Sequence, residues 1–304
     1  MGGIVQNLYA EIIIRDVDDF YEYLKRSHYF RNNLTFRGQK DCSWPIASGI
    51  ERKMKPYLNE RYFIGNYEEG KILEIQRRAH TLLKNGIPDS EDYLEWLALL
   101  QHHGARTRLV DFSRSIFVAC YFATRYDGVS DGDAAVWGVH LGKLERFKMY
   151  KLRNEFEIPS DLPAHEQDKM IVRRAVTREK KLPGVSIVHP FRQNQRLFAQ
   201  QGEFLVPLDI NKSFMENLSE VFVGDCDTEV KHGYCDFEKP YKRGYIHEFD
   251  SDELVKYVGV VKFVIPNKLH KGLRIVLEHM NIQTESLFPD FEGAVQALNH
   301  DYYV

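Results

Sequence analysis

Apolar residues recur along this chain in blocks of two lengths. The short ones alternate or run apolar over strand-sized stretches: Tyr9–Ile14, Leu34–Arg37 ending at Gly38, Ala134–Leu141, Val185–Val188, Glu203–Leu208 and Val260–Ile265. The longer ones carry the helical period. Val17, Phe20, Leu24 and His28 share one face of Asp16–Arg31, which breaks at Asn32-Asn33. Ile72, Ile75 and Leu82/Leu83 turn inward from a charged helix over Asn66–Lys84. Tyr93, Trp96, Leu97 and Leu100 predict a further helix, with Ser90 as its N-cap and a stop at His103-Gly104. Ser115–Arg125 is apolar on most sides, as a centrally buried helix is, and Ser113 is expected to cap it. Helices and strands intermingle without a steady βα alternation. The expected fold is therefore α+β: one large domain with a mixed, mostly antiparallel sheet core flanked by helices. Residues 1–29 are expected to form a strand and helix packed on a unit spanning 30–304. Within that unit, residues 142–182 are rich in charge (Arg173, Arg174, Arg178, Lys180, Lys181) and predict a solvated, partly helical insertion.

Composition narrows the function classes. Hydrophobic residues make up 43% and charged residues 28%, which excludes a disordered chain. The net charge of -3 argues against a chain that lives mainly on nucleic-acid backbone contacts. The longest apolar block, Ile116–Ala123, falls well short of the ~18 residues a bilayer span requires, so no membrane partner is expected. No secretory signal is visible, and Gln6 stands where a myristoylated Gly2 would want Ser or Thr. Cys42, Cys120, Cys226 and Cys235 are too sparse for a disulfide scaffold, and Cys226, His232 and Cys235 match no common zinc spacing. Reduced thiols, a cytoplasmic location and no metal are the expectation. Phosphate-loop, dinucleotide-fingerprint, zinc-protease and nucleophile-elbow motifs are all missing.

What stands out is polar groups set against apolar neighbours. Phe36-Arg37-Gly38 puts a guanidinium at a strand end, beside a residue that permits close backbone approach. Gln101-His102-His103-Gly104 ends a core helix. Thr107-Arg108-Leu109-Val110-Asp111-Phe112-Ser113 leads into the most apolar helix, and Arg196 opens the run RLFAQQGEF with Gln200, Gln201 and Glu203. Polar groups at the ends of apolar segments need a partner or a ligand. Arg37, His102, Arg108, Asp111, Ser113, Arg196 and Gln200 are accordingly expected to face one cleft. Each also has a structural alternative: Arg37 bonding a buried carboxylate such as Asp111, His102 satisfying helix-terminal carbonyls, Gln200 and Gln201 bridging sheet edges.

These segments resemble the FRG domain family, named for the signature that stands here as Phe36-Arg37-Gly38. The resemblance continues through Leu97–Ala123, AVWGVHL, RLFAQQGEF, VKFVIPNK and ESLFPDFEGA, in order over roughly 30–298. A shorter likeness is to the Arg-Ser-Glu type of ADP-ribosyltransferase. Its elements would be Phe36-Arg37, then Ser113-Arg114-Ser115 before Ala119–Phe122, then Gln201-Gly202-Glu203, with Ser-Arg-Ser in place of the usual Ser-Thr-Ser. That likeness implies NAD as substrate, transfer of ADP-ribose to a macromolecular acceptor or NAD hydrolysis, and service in toxin or phage-defence settings. Glu203, Gln201, His102 and Ser113 would be catalytic. Arg37, Gly38, Arg108, Asp111, Arg196 and Gln200 would hold the cofactor. Two alternatives stay open. One is a binding module for nucleic acid or a nucleotide, with Arg37, Arg108 and Arg196 as an anion pocket and His102 stacking a base. The other is a metal-dependent nuclease on His102, Asp111 and Glu203.

Overall fold

The computed structural model of the chain describes residues 8–16, 18–20, 22, 34–54, 62–125, 132–223, 243–248 and 259–300. Most of the Asp16–Arg31 helix predicted from the sequence, and the Cys226, His232 and Cys235 set, lie outside them.

Among the described residues eight strands form one mixed sheet: β1 (Tyr9–Ile13), β2 (Leu34–Gln39), β3 (Val110–Ser113), β4 (Ala134–His140), β5 (Val185–Val188), β6 (Gly202–Pro207), β7 (Arg243–Tyr245) and β8 (Val260–Ile265). Their order across the sheet is β5-β6-β3-β2-β4-β8-β1-β7. The pairings from β5 to β8 are antiparallel, and those of β1 with β8 and β7 are parallel. Among the described residues, the α-helices of four or more residues are α1 (Gly49–Met54), α2 (Tyr62–Leu82), α3 (Tyr93–His102), α4 (Ile116–Thr124), α5 (Leu141–Phe147), α6 (Ala164–Thr177), α7 (Gln195–Ala199), α8 (Phe214–Val223), α9 (His270–His279), α10 (Thr284–Leu287) and α11 (Phe291–His300). The fold is α+β, as its sequence predicts. The N-terminal strand is not an appendage, however: β1 sits inside the sheet, between β8 and β7.

Alternation along the strands feeds two cores. On β4, Val136 joins one with Phe36, Ala119 and Phe263, while Trp137 and Val139 join the other with Trp96, Leu97, Phe147 and Ile171. Helix α4 is buried, as its all-round apolar sequence requires. Its cap is Ser115, whose hydroxyl accepts from the Val118 N–H, and not Ser113, which is the last residue of β3. Likewise Asp92, not Ser90, caps α3, because its side chain reaches the Glu95 N–H. Gly104 ends that helix at φ +82°, in the left-handed region that favours glycine.

The largest correction concerns residues 142–182. The segment is not a solvated insertion. Phe147, Leu152, Phe156 and Ile158 are buried, as are Ile171, Val172, Ala175 and Val176 of α6. Many of its charges stand on the outer side, where Arg173 pairs with Glu91 and Lys180 with Glu157, while Lys148 and Asp168 pair with each other inside. Charge count alone hides the period-3.6 apolar stripe beneath.

Candidate functional site

The sheet divides at one point. Strands β2 and β3 meet through the single pair Phe36↔Ser113. Beyond it β2 stays with β4 as far as Gln39↔Ala135, and β3 stays with β6 as far as Val110↔Leu205. The two halves part like a wedge, with Arg37 and Gly38 on one lip and Asp111 and Phe112 on the other. A cavity of about 940 Å³ opens there, at the upper end of the range for small-molecule sites. Its apolar wall is aromatic: Phe36, Phe112, Phe122, Phe204 and Phe288, with Trp44 toward solvent.

Arg37 spans the wedge. Its Nη1 donates to the Asp111 carbonyl at 2.7 Å, and its Nε is buried without a partner. Burial pushes its pKa down; the Asp111 charge opposes that shift, while the Arg52 charge adds to it. The pairing expected between Arg37 and the Asp111 carboxylate is therefore replaced by a contact to the Asp111 backbone. The carboxylate itself accepts from Gln101 Nε2 at 2.7 Å, and Gln101 Oε1 in turn accepts from the Thr107 hydroxyl.

Of the residues assigned to a site from sequence, Arg37, Gly38, His102, Asp111, Ser113, Arg196 and Gln200 line the cavity. Gly38 serves the packing of β2 on α4: a Cβ there would sit 1.9 Å from the Ala119 carbonyl oxygen. Ser113 Oγ is already engaged, donating to the Gln200 carbonyl at 2.7 Å and accepting from the Ser115 N–H. Gln200 Nε2 donates to Leu287 O at 3.0 Å, tying the α7 end to α10. Arg196 is neutralised by Asp290 and Glu292 and stacks over Phe288, so it is a weak anion ligand. At His102, burial first, then the charges of His103 and Arg196, lower the pKa and favour the neutral ring.

Three assigned residues lie elsewhere. Arg108 is fully buried behind the site; it pairs with Glu68 and donates to Ala175 O at 2.9 Å, which joins α2 to α6. It belongs to no anion pocket. Glu203 is register-paired with Phe112, and its strand neighbour Phe204 reaches the cavity while Glu203 does not. Its carboxylate is 2.8 Å from Arg114 Nε and 3.5 Å from His189 Nε2. Burial opposes the Glu203 charge, but His189, Thr35 and Arg114 together outweigh it and hold the pKa below the ordinary range. The Ser-Arg-Ser departure thus supplies the arginine that occupies Glu203. Gln201 is exposed outside the cavity, in the left-handed region at φ +48°. His102, Asp111 and Glu203 therefore do not share one pocket as the nuclease alternative requires. No group of three or more His, Cys, Asp or Glu placed to hold a metal occurs among the described residues.

Sequence reasoning missed the rim formed by Lys40, Trp44, Arg52 and Lys212. Its signal was legible as two Ser-x-x-Glu capping boxes, Ser48–Glu51 and Ser213–Glu216, each with reciprocal bonds at its helix start. Glu51 Oε2 also accepts from the Phe214 N–H at 3.0 Å, which fastens the two rims together.

Fold and site together define an α+β protein with a ligand-sized cavity at a parting in its sheet. Residues 32–131 match the family model described as FRG domain, and the chain carries an FRG domain there. The matched stretch holds both lips of the wedge, Arg37 and Asp111 included, whereas RLFAQQGEF and ESLFPDFEGA fall outside it. Comparison with curated proteins and with solved structures found no match. No helix among the described residues is long and apolar enough to cross a membrane.

Proposed function

We propose that the cavity binds a nucleotide-class ligand, with NAD or another ADP-ribose-bearing molecule as the candidate, held by its phosphates on Arg37. The observation that carries this is the buried, unpartnered Nε of Arg37, beside the Nη1 that reaches only a carbonyl. A guanidinium has donors in a fixed fork that matches phosphate. Left desolvated beside a second cation, Arg52, it gains most from an anion. The aromatic wall suits a base or a nicotinamide ring. Titration calorimetry of the full chain with ADP-ribose and NAD tests this. Binding is expected, and Arg37→Ala should weaken it by about 10-fold or more, the scale of a lost charge-assisted contact. Absence of binding to either ligand overturns the reading. Release of nicotinamide from NAD, with and without a macromolecular acceptor, separates a transferase or hydrolase from a binding module.

A further inference from the structure

Asp111 is the acidic lip of the wedge. Its side chain is exposed to the cavity, and no cationic side chain forms a salt bridge with it among the described residues. The Gln101 carboxamide fixes it: Oε1 is committed to the Thr107 hydroxyl, so the amide nitrogen must point at Asp111 Oδ1, where it sits at 2.7 Å. The site therefore offers a held carboxylate with acceptor capacity left beyond the Gln101 bond, one strand away from a guanidinium whose Nε donor has no acceptor. The two are locked together, since Arg37 Nη1 bonds the Asp111 carbonyl at 2.7 Å. A bare phosphate would meet Arg37 favourably and Asp111 unfavourably. A ligand that satisfies both must carry an anion and hydroxyl donors side by side.

We infer that Asp111 reads ribose hydroxyls, so that the cavity selects ribonucleotides over deoxyribonucleotides and over free phosphate. A nucleotide carries both in one molecule, a phosphate for Arg37 and sugar hydroxyls for Asp111. Each hydroxyl donates to the carboxylate, and removing a hydroxyl leaves an acceptor without its donor. This rests on the nucleotide reading above, and the experiment separates the two. The full chain is titrated with ADP, 2′-deoxy-ADP and 3′-deoxy-ADP, as wild type, Arg37→Ala and Asp111→Asn. ADP should bind at least about 10-fold more tightly than one or both deoxy forms, the scale of one hydrogen bond to a charged group. Asp111→Asn should bring that ratio close to one, while Arg37→Ala weakens all three probes together. Equal wild-type binding of the three probes overturns the inference and leaves the nucleotide reading standing. So does a ratio that survives in Asp111→Asn, which would mean that the carboxylate serves only to hold Gln101. No binding of ADP removes both. The wild-type comparison needs no variant, so the test stays decisive if Asp111→Asn folds poorly.

Discussion

Three arginines that look equivalent along the chain meet different fates. Arg108 is committed to Glu68 and a helix carbonyl behind the site, Arg196 to Asp290 and Glu292, and of the three only Arg37 lines the cavity with a buried donor, its Nε, that has no partner. Arg196→Ala should therefore change ADP-ribose affinity much less than Arg37→Ala, and parallel titrations check the order. Glu203 carries the same lesson for an acid. Glu203→Gln breaks the contacts to Arg114 and His189, so melting temperature should fall even where ligand affinity does not. His189 gives that cluster a pH signature. Hydrogen bonds donated by its ring to Asp168 and then to Glu203 raise its pKa from 6.5 to about 9, against burial. A raised folded-state pKa contributes stability that is fully present below pH 6.5 and is lost as pH rises through about 9. The ring is partly exposed, so screening leaves ~1 kcal/mol of this. Melting temperatures of wild type and His189→Ala should differ at pH 6 and converge near pH 10. A gap that stays constant would show that His189 contributes packing and not charge.

At the scale of elements, strands were the most legible. Val185–Val188 and Val260–Ile265 run where their apolar blocks lie, because each begins and ends on a buried apolar residue. Helices after residue 208 were missed. In α8 the stripe Phe214, Leu218, Val221 and Phe222 was present but overlooked, the apolar positions of α9 are diluted by charge, and α11 leaves Phe291 and Leu298 exposed. The wedge was half legible: its residues were recognisable as polar groups at segment ends, but which strand face each presents depends on register, and register placed Glu203 away from Asp111. The contact of β2 with α4 shows how local identity serves this geometry. A Cβ at residue 38 would also lie 2.7 Å from the Ala123 nitrogen, and backbone cannot yield as a side-chain tip can. Gly38→Ala should cost about 1–3 kcal/mol, as overpacked cores do, and shift β2 enough to weaken ligand binding too. Chemical denaturation with the ligand titration reads both effects. An unchanged midpoint would mean that the two elements are less tightly seated.

Across the whole molecule, the site depends on elements far from it in sequence. Arg108 links the residues just before β3 to Glu68 on α2 and to Ala175 on α6, so the lip carrying Asp111 is braced from within the segment 142–182. That segment also closes one core: Phe147 meets the face of β5 beside Gly184, and Ile171, Val172 and Val176 are fully buried. Residues 142–182 are therefore part of the folding unit, and replacing them with a short flexible linker should remove cooperative unfolding. Each buried apolar side chain contributes ~1.5–3 kcal/mol, and several disappear at once, a sum larger than the ~5–15 kcal/mol margin of a typical domain can absorb. Arg108 would also lose its helix carbonyl, leaving a buried charge with one partner fewer. Thermal melts followed by circular dichroism check this, with limited proteolysis of the intact chain as companion. Proteases should spare α6 under conditions in which exposed loops are cut, because opening a buried helix requires unfolding of the core around it. A soluble deletion variant that melts in one sharp transition and still binds ADP-ribose would show that the segment is dispensable and that the brace on Asp111 lies elsewhere.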